Sequence, residues 1–312
     1  MRSFKASSWR TRVPGSLLLG GLLLPVLAPA AAAIPTVDGT RDGAYGSALA
    51  VQTVETQFGD NFSELDAGYA SIDGGKLYLM LTGNLEANFN KLEIFIDSKP
   101  GGQSSFTSSG NDGANAMNGL AFDATFTADY HLIARRGNDG GNDTFNFDFA
   151  DLGAVSFSSY SDILGGLTGS STTGTGVNAL GIEVGYDNSN VAGVGGGTGA
   201  ANQAAAAAVA TGLELGIALS DLDFLGGAIR IMVGVNNSSH NYWSNQFLAG
   251  LAPPQGNLGG DEVGGFTGEG AIDMTHFAGD QFFTVRAVPE PSTIVLAGIG
   301  LAGLASRRRR RK

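Results

Sequence analysis

Oxygen donors crowd one short stretch of this 312-residue chain: Gly137-Asn138-Asp139-Gly140-Gly141-Asn142-Asp143-Thr144-Phe145. Calcium takes about six to eight oxygen ligands, and Asp139, Asn142 and Asp143 offer carboxylate and amide donors within five residues. A second stretch has different chemistry: Asn236-Asn237-Ser238-Ser239-His240-Asn241-Tyr242-Trp243-Ser244-Asn245-Gln246. Adjacent aromatics among amides and hydroxyls suit a hydroxyl-rich ligand, because an aromatic face grips the apolar side of a sugar ring. Neighbours in a strand face opposite ways, so Tyr242 and Trp243 share a platform only across a bend. The alternative is that one ring caps the core while the amides satisfy loop backbone.

Catalytic constellations are harder to find. Asp221 and Asp223, or Asp261 and Glu262, form acidic pairs in expected loops. A glycosidase needs two carboxyls about 5–9 Å apart in a cleft, and spacing along the chain does not supply that. Asp97 follows a strand directly and suits either calcium or a turn cap, whereas Asn111-Asp112-Gly113 reads as a turn. The histidines, His131, His240 and His276, stand at no metal-ligand spacing. Met80 and Met232 lie in apolar strands and read as core. Cysteine is absent, which excludes thiol nucleophiles, Cys-ligated zinc and iron–sulfur clusters. Neither a Gly-x-Ser-x-Gly elbow nor a phosphate-binding loop is present.

The elements that position these residues read as strands. Lys76-Leu77-Tyr78-Leu79-Met80-Leu81 follows the turn Asp73-Gly74-Gly75. Lys91-Leu92-Glu93-Ile94-Phe95-Ile96-Asp97 and Thr144-Phe145-Asn146-Phe147-Asp148-Phe149 alternate apolar with polar. Residues 228–235 read as a more buried strand, and 281–285 close the domain. Further strands are expected at 48–56, 65–72, 120–127, 154–160, 180–186 and 213–219. The Gly/Ser/Thr-rich run 167–176 reads as a loop. The glycines of 190–199 and the alanines of 200–210 read as an excursion with a short helix. The sum is an all-β chain: a β-sandwich of roughly ten to twelve mostly antiparallel strands, with a short alanine-rich helix and terminal signal helices.

Both ends carry addresses. Arg2, Lys5, Arg10 and Arg12 precede an apolar run, 17–27, and a small-residue zone ending at Ala33. This is the layout of a secretory signal peptide that signal peptidase removes. Residues 34–287 then form the domain. They hold eight Lys and Arg against 28 Asp and Glu, a formal charge of −20. Such a balance disfavours nucleic acid. At the other end, Pro289-Glu290-Pro291 leads into an apolar run of fourteen residues, 293–306, and then Arg307, Arg308, Arg309, Arg310, Arg311 and Lys312. Fourteen residues of helix span roughly 21 Å, short of a hydrocarbon core about 30 Å thick. The cations are held on the cytoplasmic side, so the segment suits transient membrane contact.

The order of these parts resembles the PEP-CTERM sorting signal of Gram-negative bacteria. The resemblance implies recognition by the membrane protease-transpeptidase exosortase, removal of the tail, and delivery to the cell surface or into exopolysaccharide. The mature N-terminus, Ile34-Pro35-Thr36-Val37-Asp38-Gly39-Thr40-Arg41-Asp42-Gly43-Ala44-Tyr45, resembles the opening of family 9 carbohydrate-binding modules and related DOMON-like sandwiches. Strand 76–82, strand 92–97 and Leu213-Glu214-Leu215-Gly216-Ile217-Ala218-Leu219-Ser220-Asp221-Leu222 agree in order. That resemblance implies a sandwich that binds sugar, usually between tryptophans. Here only Trp243 survives removal of the signal peptide. Residues 137–145 also resemble one calcium-binding RTX nonapeptide, whose sites need successive copies. The expectation is an exported, non-catalytic surface or matrix protein, in which Tyr242 and Trp243 contact carbohydrate. The alternatives are a polysaccharide-acting enzyme with a carboxylate pair and a calcium-stabilised spacer.

Overall fold

The computed structural model describes residues 33–287 except 162–163, 165–167, 172–174 and 177–179. The expected signal peptide up to residue 32 and the sorting tail, 288–312, lie outside the described residues.

Period-two alternation builds the first sheet. In β3 (Lys76–Asn84), Leu77, Leu79 and Leu81 enter the space between the sheets, while Tyr78 and Met80 pack on the outer face. β2 (Glu64–Asp73) pairs antiparallel with β3 through the Asp73-Gly74-Gly75-Lys76 turn. β1 (Ala50–Val51) lies along β2. β11 (Gly212–Ala218) pairs with the far side of β3, followed by β10 (Glu183–Asp187) and β8 (Thr168–Ser171). The order is β1-β2-β3-β11-β10-β8.

The second sheet centres on β4 (Asn88–Asp97). β5 (Tyr130–Asp139), β6 (Asn142–Asp151), β7 (Ser156–Ser161) and β9 (Thr175–Gly176) follow it on one side. On the other lies β12 (Ala228–Asn236). The outer edge of β12 is shared by β13 (Trp243–Leu248) and the last strand, β14 (Phe283–Arg286). Named pairs in both sheets are antiparallel. Ile94, Ile96, Leu132, Phe145, Phe147 and Phe149 meet the leucines of β3 and β11 in the central core. The all-β sandwich is therefore the observed architecture, with fourteen strands, several of them only two to four residues long, among the described residues.

An unforeseen layer covers the outer face of the second sheet. Phe95, Ile133 and Met232 point away from the central core and are buried by residues 98–129 and 249–282. Residues 120–127, read above as a strand, are irregular. Ala121 makes single bridges to Ser105 and Asp273, while Phe122 and Phe126 plug this second core. Their apolar content reflects burial beneath a long loop rather than sheet pairing. The alanine stretch supplies only one helical turn, α1 (Gln203–Ala206), capped by Asn202. Among the described residues, no helix is long and apolar enough to cross a membrane.

Candidate functional site

The two expected aromatic ligands part company at the start of β13. Trp243 turns inward and is wholly buried in the second core, its ring 5.0 Å from that of Phe247. Gly234 of β12 makes room for both, because a Cβ there would lie 2.7 Å from each ring. Trp243 has no face left for a ligand, which corrects the expectation that it contacts carbohydrate. Strand parity is the reason: β13 begins here, and consecutive side chains leave on opposite sides.

Tyr242 takes the outward direction. Its ring stacks on Phe266 at 4.4 Å between centroids, with 29° between planes. On its other side it meets Phe58 at 6.1 Å and 15°. The three rings form a column whose last member, Phe266, is 69 % exposed. Exposed Val263 belongs to the same loop as Phe266, and the next residue, Gly264, approaches the Tyr242 hydroxyl.

Amides knit the three loops that carry the rings. Asn245 accepts from the Gln57 amide N–H at 3.1 Å and donates to the Glu55 and Gln255 carbonyls. Gln57 accepts from the Asn257 N–H, and Asn257 accepts from the Asn245 N–H. Asn236 and Asn237 spend their side-chain oxygens on N–H groups of the 237–242 loop. Much of this amide-rich stretch therefore serves as loop scaffolding, the alternative open in the sequence.

A buried charged network holds the same loop from below. Glu93 on β4, fully buried, accepts from His131 Nε2 at 2.7 Å and from His240 Nδ1 at 2.6 Å. His240 Nε2 lies 3.1 Å from Asp112, which also takes Lys91 at 2.5 Å and Arg135 at 3.2 Å. Arg135 continues to Asp148. Burial alone would depress the His240 imidazole, but the Glu93 charge and the hydrogen bonds to Asp112 and Glu93 push it up to about 9. Burial likewise works against the Glu93 carboxylate, yet the two histidines hold it well below its ordinary range. One carboxylate thus ties the loop of residue 240 to β4 and β5.

The other acidic candidates are spread over several elements. Asp139 and Asn142 face each other across a tight hairpin, whose Gly140 and Gly141 both have positive φ. Asn142 is exposed, and Asp143 lies 3.3 Å from Arg136 and accepts from Asn138. Asp97 pairs with Arg230 at 2.8 Å. Asp223 takes Lys99 at 2.7 Å and Tyr130 at 3.1 Å. Asp261 binds the N–H groups of Val263 and Gly265, and Glu262 takes the Asp273 N–H and His276. Asp221 shares a cleft of about 290 Å³ with Asp151, Phe149 and Phe157. Glu64 and Asp66, not singled out by sequence, lie side by side beneath Asn190. Burial above all lifts Glu64 to about 7 and Asp66, which also feels the Glu64 charge, to about 8. Among the described residues no group of three or more His, Asp or Glu side chains is arranged to hold a metal.

The sequence missed Phe58 and Phe266, which sit in irregular loops about 200 residues apart, where no period marks them. It also missed the shared contact of His131 and His240, because Glu93 joins them across 38 and 147 residues.

Comparison with known proteins finds one match. Residues 287–311 are a PEP-CTERM protein-sorting motif, and they include Pro289, Glu290, Pro291 and the arginines 307–311. No curated protein and no solved structure matches the chain. The motif marks an exported protein, anchored transiently in the membrane and then processed by exosortase.

Proposed function

We propose that the released domain is a non-catalytic cell-surface or matrix protein that holds exopolysaccharide on the Phe58–Tyr242–Phe266 column. The observation that carries this reading is the exposed ring of Phe266, supported from behind by Tyr242. A large aromatic held open on braced loops is an interaction surface, and the apolar face of a pyranose stacks on such a ring. The sorting motif supports export, which is compatible with a polysaccharide partner outside the cell. Phe266→Ala tests it: retention of the purified domain on the host's exopolysaccharide falls about tenfold with the melting temperature unchanged. Unchanged retention removes the reading.

A second reading rests on the cleft holding Asp151 and Asp221. Two carboxyls beside exposed Phe157 suit hydrolysis of a glycan. Burial lifts the Asp221 carboxyl above its ordinary range, the direction a general acid needs. Reducing ends released from the polysaccharide by the purified domain, and abolished by Asp221→Asn, would establish it over the binding reading.

A further inference from the structure

The cations of the domain are unevenly placed. None of the loops that carry the ring column contains one: no Lys or Arg occurs in 42–75, in 137–229 or in 231–285. These segments hold Phe58, Tyr242 and Phe266, together with the Gly-rich run 193–199 that packs against Glu55 and Asp60. Six of the eight cations in 34–287 already have carboxylate partners: Lys76, Lys91, Lys99, Arg135, Arg136 and Arg230. Arg41 lies over the Tyr69 ring at 4.8 Å on the other sheet, and Arg286 ends β14. Two histidines occur in 231–285. His240 is buried between Glu93 and Asp112, and His276 is taken by Glu262. Carboxylates are plentiful in the same loops: Glu55, Asp60, Asp261 and Glu262.

A polymer bearing a carboxylate or sulfate on each sugar would bring a row of negative charges to loops without Lys or Arg, whose histidines, His240 and His276, are already paired with carboxylates. It would also approach a domain of formal charge −20. Like charges brought together across an interface select against a partner, and they do so more strongly at low salt. An uncharged sugar meets no such penalty and gains the ring stacking in full. Resting on the ring column as the binding surface, we infer that the site takes an uncharged hexose or pentose polymer and rejects uronate and sulfated polysaccharides. The selectivity comes from loops without Lys or Arg, whose histidines are already held by carboxylates, not from a contact that reads the sugar.

The test is binding of the purified 34–287 domain to an array of laminarin, xylan, mannan, polygalacturonate, dextran sulfate and chitosan oligomers. It is run at about 20 mM and about 500 mM salt. The expected result is binding to at least one of the three neutral polymers, nearly independent of salt and reduced about tenfold in Phe266→Ala. Polygalacturonate and dextran sulfate stay unbound at low salt. Val263→Lys places a cation in the Phe266 loop on a side chain already 85 % exposed, and it brings in polygalacturonate binding at low salt that high salt removes. Wild-type binding to polygalacturonate or dextran sulfate that Phe266→Ala abolishes keeps the ring column and overturns the selectivity. Salt-sensitive binding to chitosan alone also overturns it, because the carboxylates would then be reading a cation. Binding to none of the six, or binding indifferent to Phe266→Ala, removes the column and the selectivity together.

Discussion

His240→Gln gives the sharpest test of how the aromatic loop is held. In the folded protein the imidazole sits between Glu93 and Asp112 and titrates at about 9, against 6.5 in an open chain. A group that binds its proton more tightly when folded stabilises the fold fully below its unfolded value. That contribution is lost as pH rises through the folded value. At about 1.4 kcal/mol for each pH decade between the two values, His240 contributes about 3 kcal/mol near pH 6 and almost nothing above pH 9. For a domain of this size each kcal/mol moves the melting temperature by about 2 °C, so the loss amounts to about 6 °C. Glu64 and Asp66, lifted to about 7 and about 8, also weaken the fold as pH rises, but between pH 8 and 9 only about 0.4 kcal/mol of that loss remains, nearly all of it from Asp66. Thermal melts followed by circular dichroism from pH 6 to 10 separate the contributions. The wild type loses about 1.4 kcal/mol between pH 8 and 9, whereas His240→Gln loses only about 0.4 kcal/mol there and melts lower at pH 6. Parallel curves for the two proteins across that window would refute the network as the loop's anchor.

Glu93→Gln leaves two buried histidines and Asp112 without the carboxylate that joins them, so urea unfolding should show a loss of about 3–5 kcal/mol. Gly234→Ala drives a methyl group into the Trp243 and Phe247 rings and should cost about 1–3 kcal/mol in the same assay. Trp243→Ala opens a cavity in the second core and lowers stability by about 3–5 kcal/mol. Calorimetry then distinguishes it from Phe266→Ala, which leaves the melt unchanged. If Asp139, Asn142 and Asp143 hold calcium, adding the ion at a hundredfold over its Kd raises stability by about 2.7 kcal/mol. Asp143→Asn abolishes that gain, and a melt indifferent to calcium and chelator removes the site.

Much of the sandwich was legible because the start of β4 and all of β6 alternate apolar with polar, while β3 follows a Gly-Gly turn and β12 is an apolar run of strand length. The reading failed where apolar residues served the outer layer. Phe122 and Phe126 looked like strand residues but plug the second core from a loop. β5 escaped notice because it carries buried His131 and Arg136, and polar residues break the alternation that betrays a strand. That Tyr242 and Trp243 face opposite ways was legible; which ring faces out was not, because parity is the same for either choice. Their partners were not, because a stack of three rings drawn from three loops leaves no mark on local spacing.

The last strand has a mechanical consequence. β14 stops at Arg286, and only Ala287 and Val288 precede Pro289. A cut at the Pro-Glu-Pro triplet would leave a stub of a few residues beyond β14, each reaching about 3.5 Å at full stretch. A partner joined to such a stub would stand within about 10 Å of β14. Tension applied there reaches β14 directly, where Phe283 and Val285 are pegged into the central core against β12. The carboxyl end is thus a stiff handle, and the four-residue seam with β12 is the first to be strained when it is pulled.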